Sequence, residues 1–253
     1  MKLLMVLFVL LVSRNVMSQN DSLKYFPDNK SHTDNTHKLK LAQMIAPGLC
    51  IGAGVVGIGN DWVESQDNII RDGLKGNNKL TIDNYMQYVP TASVYLLNLC
   101  GVKGRHDFID RTVILGMSWL MMGMITNTMK LSFGERRPDG SSRNSFPSGH
   151  TATAFMGAEF LYQEYKDVSP WIGISGYLVA SATGFFRMYN NRHWLDDVIE
   201  GAGVGMLSTK LAYWLYPRIF KGAHCQKRNY NAQFVAMPYY NGHDMGCSAY
   251  VNF

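Results

Sequence analysis

Pro147-Ser148-Gly149-His150-Thr151-Ala152-Thr153-Ala154-Phe155 opens an apolar stretch that runs on to Tyr165. The first four residues read as the end of a loop, the rest as the start of a helix. A helix N-terminus presents backbone N–H groups without partners, and a glycine lets an anion approach them. Read alone, Ser148 is an ordinary N-cap and His150 an accident of composition. Two neighbouring blocks weigh against that reading. Lys130, Arg137 and Pro138 give K-x6-R-P upstream; Arg187, His193 and Asp197 give R-x5-H-x3-D downstream.

Together the blocks gather three cations, two imidazoles and a carboxylate. A phosphoryl group in transfer spreads negative charge over three equatorial oxygens, and catalysis needs fixed cations aimed at all of them. Lys130, Arg137 and Arg187 supply three from separate places in the chain. His193 and Asp197 are four apart, so within a helix they share one face. A carboxylate bonded to one ring nitrogen fixes the tautomer and frees the other to attack. Asp196 also reaches His193 at i+3, but the spacing favours Asp197. His150 then serves as the acid for the departing alkoxide. His32, His37, His106, His224 and His243 have no such company and read as surface or core residues.

Around these blocks lie six apolar runs, 41–59, 89–101, 112–129, 150–165, 171–186 and 198–216, none alternating like a strand. The expectation is an all-α fold, a six-helix bundle over 41–221, with 60–88 as an acidic loop. Residues 1–18 read as a secretory signal cleaved after Ser18, and 19–40 as a polar lead-in. In the tail, 222–253, the runs 233–240 and 247–253 flank Asn241-Gly242 and read as a short β-hairpin. The motif Gly52-x-Gly54-x-x-Gly57 matches a dinucleotide fingerprint, but no strand precedes it; small-residue helix packing is the better reading.

A hydrophobic fraction of 47% and a mean hydropathy of −0.11 resemble a soluble protein. The uncharged runs 41–59 and 112–129 point instead to a membrane, and membrane association is the expectation. Gly48/Gly52 and Gly201/Gly205 have a spacing that lets helices approach in either medium. Cations at Lys38, Lys40, Arg218, Lys221, Lys227 and Arg228 flank the helical region and place both flanks in the cytoplasm if all six helices span. The blocks then face the periplasm or exterior; a cleaved signal reverses that parity unless one helix does not span. The net charge of +5 suits anionic lipids, and no basic-aromatic groove invites nucleic acid. Cys50 and Cys100 sit in apolar runs and read as packing residues. Cys225 and Cys247 form a disulfide only if the tail is secreted, and no cysteine spacing suggests zinc.

The three blocks resemble the signature of the type 2 phosphatidic acid phosphatase and vanadium haloperoxidase superfamily. The resemblance implies that superfamily's helical bundle, with His193 as a nucleophile forming a phosphohistidine, Asp197 orienting it and His150 as acid. It implies phosphate binding by Lys130, Arg137, Ser148, Gly149 and Arg187, with no metal or other cofactor. One departure is Phe186, where the family pattern has Ser; it leaves an aromatic ring free to line an entrance. The leading expectation is an envelope phosphatase for a lipid phosphate or pyrophosphate monoester: phosphatidate, phosphatidylglycerol phosphate, polyprenyl pyrophosphate or lipid A phosphate. Trp119, Met121, Met122, Phe185 and Phe186 are candidates to flank the lipid. A secreted acid phosphatase for soluble monoesters and a vanadate-dependent haloperoxidase are the alternatives.

Overall fold

A computed structural model describes residues 41–58, 60–74, 81–220, 233–240 and 245–252. The expected signal, lead-in, Asn241-Gly242 turn and Cys225 lie outside the described residues, as does the Cys247 side chain. In chain order the helices are α1 (Leu41–Gly57), α2 (Asp61–Leu74), α3 (Asp83–Met86), α4 (Val89–Leu99), α5 (Phe108–Phe133), α6 (Gly149–Tyr165), α7 (Pro170–Tyr189) and α8 (Leu195–Phe220). All six apolar runs are helical. The stretch expected to be an acidic loop holds α2 and the single turn α3 as well. Asn60 begins α2, its side-chain oxygen accepting the Trp62 N–H at 3.0 Å.

Helix α6 is the centre of the bundle, packed by α4, α5, α7 and α8. Ala152, Ala154, Met156, Ala158, Phe160 and Leu161 along it have no exposed surface. Removing a large apolar side chain such as Phe160 from water stabilises by about 2–3 kcal/mol, which is why this run sits innermost. Alanines and glycines set the close spacing. A Cβ on Gly201 of α8 would stand 2.6 Å from the Ser148 carbonyl oxygen. The α8 backbone therefore lies directly against the start of α6, where the Ser-Gly-His block begins. Cys50 is half-buried in α1, whereas Cys100 is exposed rather than packed.

Helix α1 docks on α8 the same way: Gly54 faces Glu200 and Gly57 faces Asp196. The glycine motif is thus helix packing, as its sequence context implies. The pair Gly48/Gly52 has open space around it and packs nothing, unlike Gly201 and Gly205. Helix α5 ends at Gly134, whose left-handed φ of 58° and N–H bond to the Lys130 carbonyl close the last turn. In the tail, β1 (Gln233–Tyr240) pairs antiparallel with β2 (Met245–Asn252), from Gln233↔Asn252 to Tyr240↔Met245.

Among the described residues α5 is the one helix long and apolar enough to cross a membrane, by length and composition. Large apolar side chains stand exposed along it (Leu120, Met124, Leu131) and along α7 (Trp171, Ile174, Leu178). Such stripes of exposed large apolar side chains are uncommon on a protein surrounded by water.

Candidate active site

Two loops meet at the N-terminal end of α6: residues 134–148 after α5, and residues 190–194 between α7 and α8. Two bonds stitch them to each other, and two more tie the first loop to Asp197 at the start of α8. The Trp194 indole N–H donates to the Arg136 carbonyl at 2.9 Å, and Arg192 pairs with Asp139 at 3.1 Å. The Ser148 N–H donates to the Asp197 carbonyl at 3.0 Å, and Ser145 Oγ donates to Asp197 Oδ2 at 2.5 Å. These bonds bring the three blocks to one place.

His193 and Asp197 do not share a helix, contrary to the expectation from spacing. Helix α8 starts at Leu195, so His193 lies in the preceding loop and Asp197 in the first turn. They meet nonetheless, with His193 Nδ1 3.3 Å from Asp197 Oδ2 and both side chains buried. The same oxygen accepts the Trp194 N–H at 2.8 Å, as a third-position carboxylate does when it closes a helix start. Asp196 turns away towards Gly57 and accepts the Asp197 N–H, so it does not compete for the imidazole. Burial holds the His193 pKa below the ordinary imidazole value; the Asp197 carboxylate opposes that, and the charges of Arg187 and Lys130 reinforce it.

The cations surround this pair. Lys130, in the last turn of α5, donates to the Asn144 carbonyl at 2.7 Å. Arg137 sits in a turn closed by its N–H bond to the Ser142 carbonyl. Arg187, at the end of α7, is buried and donates through Nη1 to Asp83 Oδ2 at 2.8 Å. Both Arg137 Nε and Arg187 Nε are buried without a hydrogen-bond partner. Two unmatched guanidinium N–H groups beside a buried imidazole are costly unless an anion fills the space.

Ser148 precedes α6 in an extended conformation, yet its side chain makes no capping bond; instead it accepts from Thr151 Oγ1 at 2.9 Å. That removes the plain N-cap reading. An added Cβ on Gly149 would meet no atom within 4 Å, so the space above the helix start is open. His150 points Nε2 at Asn84 Oδ1, 3.0 Å away. Burial lowers its pKa to about 4; Arg187, His193 and Arg137 add to the lowering, and Asp83 opposes it.

All eight residues singled out from the sequence therefore converge. Three that were not singled out join them: Ser145 on Asp197, Asp83 on Arg187 and Asn84 on His150. Of the apolar candidates, Met122 is core, with Trp119 packed against it. Phe185 and Phe186 cluster with Tyr189 beside Arg187.

Residues 111–221 match the model of the PAP2 superfamily. A lipid A 1-phosphatase of Porphyromonas gingivalis is 45% identical over 160 residues, 61% of this chain and 36% of that protein. The bacitracin transport permease protein BcrC of Bacillus licheniformis is 33% identical over 76 residues, 30% of this chain and 36% of that protein. The chain thus spans about a third of the length of either relative. Two solved structures are similar to this chain at 21% identity. LpxE of Aquifex aeolicus has a TM-score of 0.43, covering 59% of this chain and 93% of that one. A transmembrane PAP2-type phosphatidylglycerolphosphate phosphatase of Bacillus subtilis has a TM-score of 0.46, covering 71% and 98%.

Proposed function

We infer that this protein is a metal-independent phosphatase that cleaves a lipid phosphate or pyrophosphate monoester at the surface of a membrane. The carrying observation is the buried His193–Asp197 pair facing the unpartnered N–H groups of Arg137 and Arg187. With Nδ1 turned to Asp197, His193 Nε2 is free to attack phosphorus. The N–P bond forms as the P–O bond to the lipid breaks, and His150 gives its proton to the leaving oxygen. Water then attacks the phosphohistidine, its proton passing to His150, and free phosphate departs. Lys130, Arg137, Arg187, the Ser148 hydroxyl and the N–H groups above Gly149 hold the phosphoryl oxygens throughout.

The apolar surface of α5 and α7 supports membrane association, and we place the site on the periplasmic or exterior side. Lipid A 1-phosphate heads the substrate panel because the Porphyromonas gingivalis relative bears that activity in its name. The test is phosphate release by the protein in detergent micelles, with chelator present, from lipid A, phosphatidylglycerol phosphate, phosphatidate and polyprenyl pyrophosphate beside a water-soluble monoester. The expected result is release from a lipid substrate, preferred over the soluble ester and absent in His193→Ala. Equal or better turnover of the soluble ester would overturn the lipid assignment.

A further inference from the structure

Turn α3 comes from outside all three blocks, yet it touches two of the converging groups. Asp83 pairs with Arg187, and the next residue, Asn84, bonds His150 Nε2. The turn is tied on both sides of Asn84. Buried Gln87 donates its side-chain N–H to the Asn84 carbonyl at 2.8 Å, and the Asn84 N–H reaches the Thr81 carbonyl at 3.3 Å. Asn84 itself is exposed, so water competes for its side chain; the tethered turn nevertheless directs that side chain at the imidazole.

We propose that Asn84 is a positioning residue for the general acid: its side-chain oxygen accepts the His150 Nε2 proton in the resting site, fixing the ring and keeping a proton on that nitrogen, and the leaving oxygen takes its place as acceptor when the proton is transferred. The argument rests on the phosphatase reading above. A carboxamide oxygen only accepts, so the nitrogen facing it must carry hydrogen. The bond therefore selects ring orientation and tautomer before substrate arrives. In the cationic form of His150 the Nε2 proton passes to the leaving oxygen as the P–O bond breaks, and the imidazole stays neutral with its proton on Nδ1. The charged and titratable groups facing His150 are Arg187 from α7, Asp83 from α3, and His193 and Arg137 from the loops. None of them bonds Nε2 in place of Asn84.

The test compares two leaving groups. An alkyl phosphate needs the proton, whereas p-nitrophenyl phosphate leaves as a stabilised phenolate and scarcely needs it. Asn84→Ala and Asn84→Leu should lower kcat for the alkyl ester about tenfold with little change in KM, and by less than about twofold for the nitrophenyl ester. Asn84→Asp, which sets a carboxylate against Nε2, should move the basic limb of the kcat profile to higher pH. A purely structural residue would lower both esters alike and reduce the melting temperature. Equal losses for the two esters, or wild-type kcat in both variants with an unshifted Asn84→Asp profile, overturns the role of Asn84 and leaves the phosphatase reading standing. No release by wild type from any lipid of the substrate panel or from either ester overturns that reading, and the role of Asn84 with it.

Discussion

Helix α6 carries a buried charged cluster at each end, and the two differ in what they leave unmatched. Near its C-terminus, Glu164 accepts from His106 Nδ1 at 2.7 Å, Tyr213 at 2.6 Å, the His106 N–H at 3.1 Å and Arg111 Nε at 3.3 Å. Arg111 also donates to the His106 carbonyl at 2.7 Å. Both carboxylate oxygens are filled, one donor (Arg111 Nη1) lacks a partner, and the cluster ties the loop before α5 to the bundle. At the N-terminus, Asp197 Oδ2 takes three donors while Oδ1 has none, and Arg137 Nε and Arg187 Nε are open. About 24 Å of helix separates the two ends, at roughly 1.5 Å per residue over 17 residues. A charged cluster built for stability spends nearly all of its hydrogen bonds internally. One built for a ligand keeps donors in reserve, at a cost to stability.

Substitutions at the two ends should therefore produce opposite phenotypes. His193→Ala should abolish phosphate release, by on the order of 10⁴-fold or more, with unfolding free energy within about 1 kcal/mol of wild type. Arg187→Ala should reduce kcat/KM by about 10²–10³-fold, measured by the same release assay. At the other end, Glu164→Ala leaves Arg111 buried and unpaired. It should cost about 3–5 kcal/mol in denaturant unfolding, with turnover per folded molecule within about twofold of wild type. Strong loss of turnover in folded Glu164→Ala, or marked destabilisation in His193→Ala, would erase the distinction.

A smaller effect tests the packing that joins α8 to the site. Gly201→Ala presses a methyl on the Ser148 carbonyl and should cost about 1–3 kcal/mol, with some loss of kcat because Ser148 moves. The smallest expected effect is on pH dependence. In the proposed mechanism His193 attacks as the neutral imidazole; burial lowers its pKa, and that of His150 is lowered to about 4. Both place the optimum of kcat/KM on the acid side of the ordinary imidazole value of 6.5. Asp197 pulls the His193 pKa upward, so Asp197→Asn should shift the residual activity to still lower pH. A residual profile shifted upward would mean that Asp197 does not act on His193 electrostatically.

The N-terminal cluster was far more legible in the sequence than the C-terminal one. Its residues fall in three short blocks with fixed spacing, because the loops that carry them are short and begin or end helices. Lys130 sits in a last helical turn, His150 in a first turn and Asp197 in another, so local structure alone nearly positions them. Glu164, the pair His106 and Arg111, and Tyr213 come from three separate stretches, and nothing in their spacing ties them. His106 read as an isolated residue for that reason. Asp83, Asn84 and Ser145 were missed because tertiary contact, not spacing, brings them to the site. Helix α2 had a readable signal in Asn60, a good N-cap, but its many carboxylates and few apolar residues hid the helical period. The positions of His193 and Asp197 show the opposite error: i, i+4 spacing suggested one helix, yet a loop residue and a first-turn residue meet just as well.

The most direct test of the account is a rapid-quench experiment with substrate carrying a labelled phosphoryl group. The wild-type protein should yield a transient, acid-labile and alkali-stable labelled histidine mapping to His193, formed as fast as the lipid is released and absent from His193→Ala. Steady turnover with no label on the protein, or label that persists in His193→Ala, would contradict the assignment of His193 as the nucleophile.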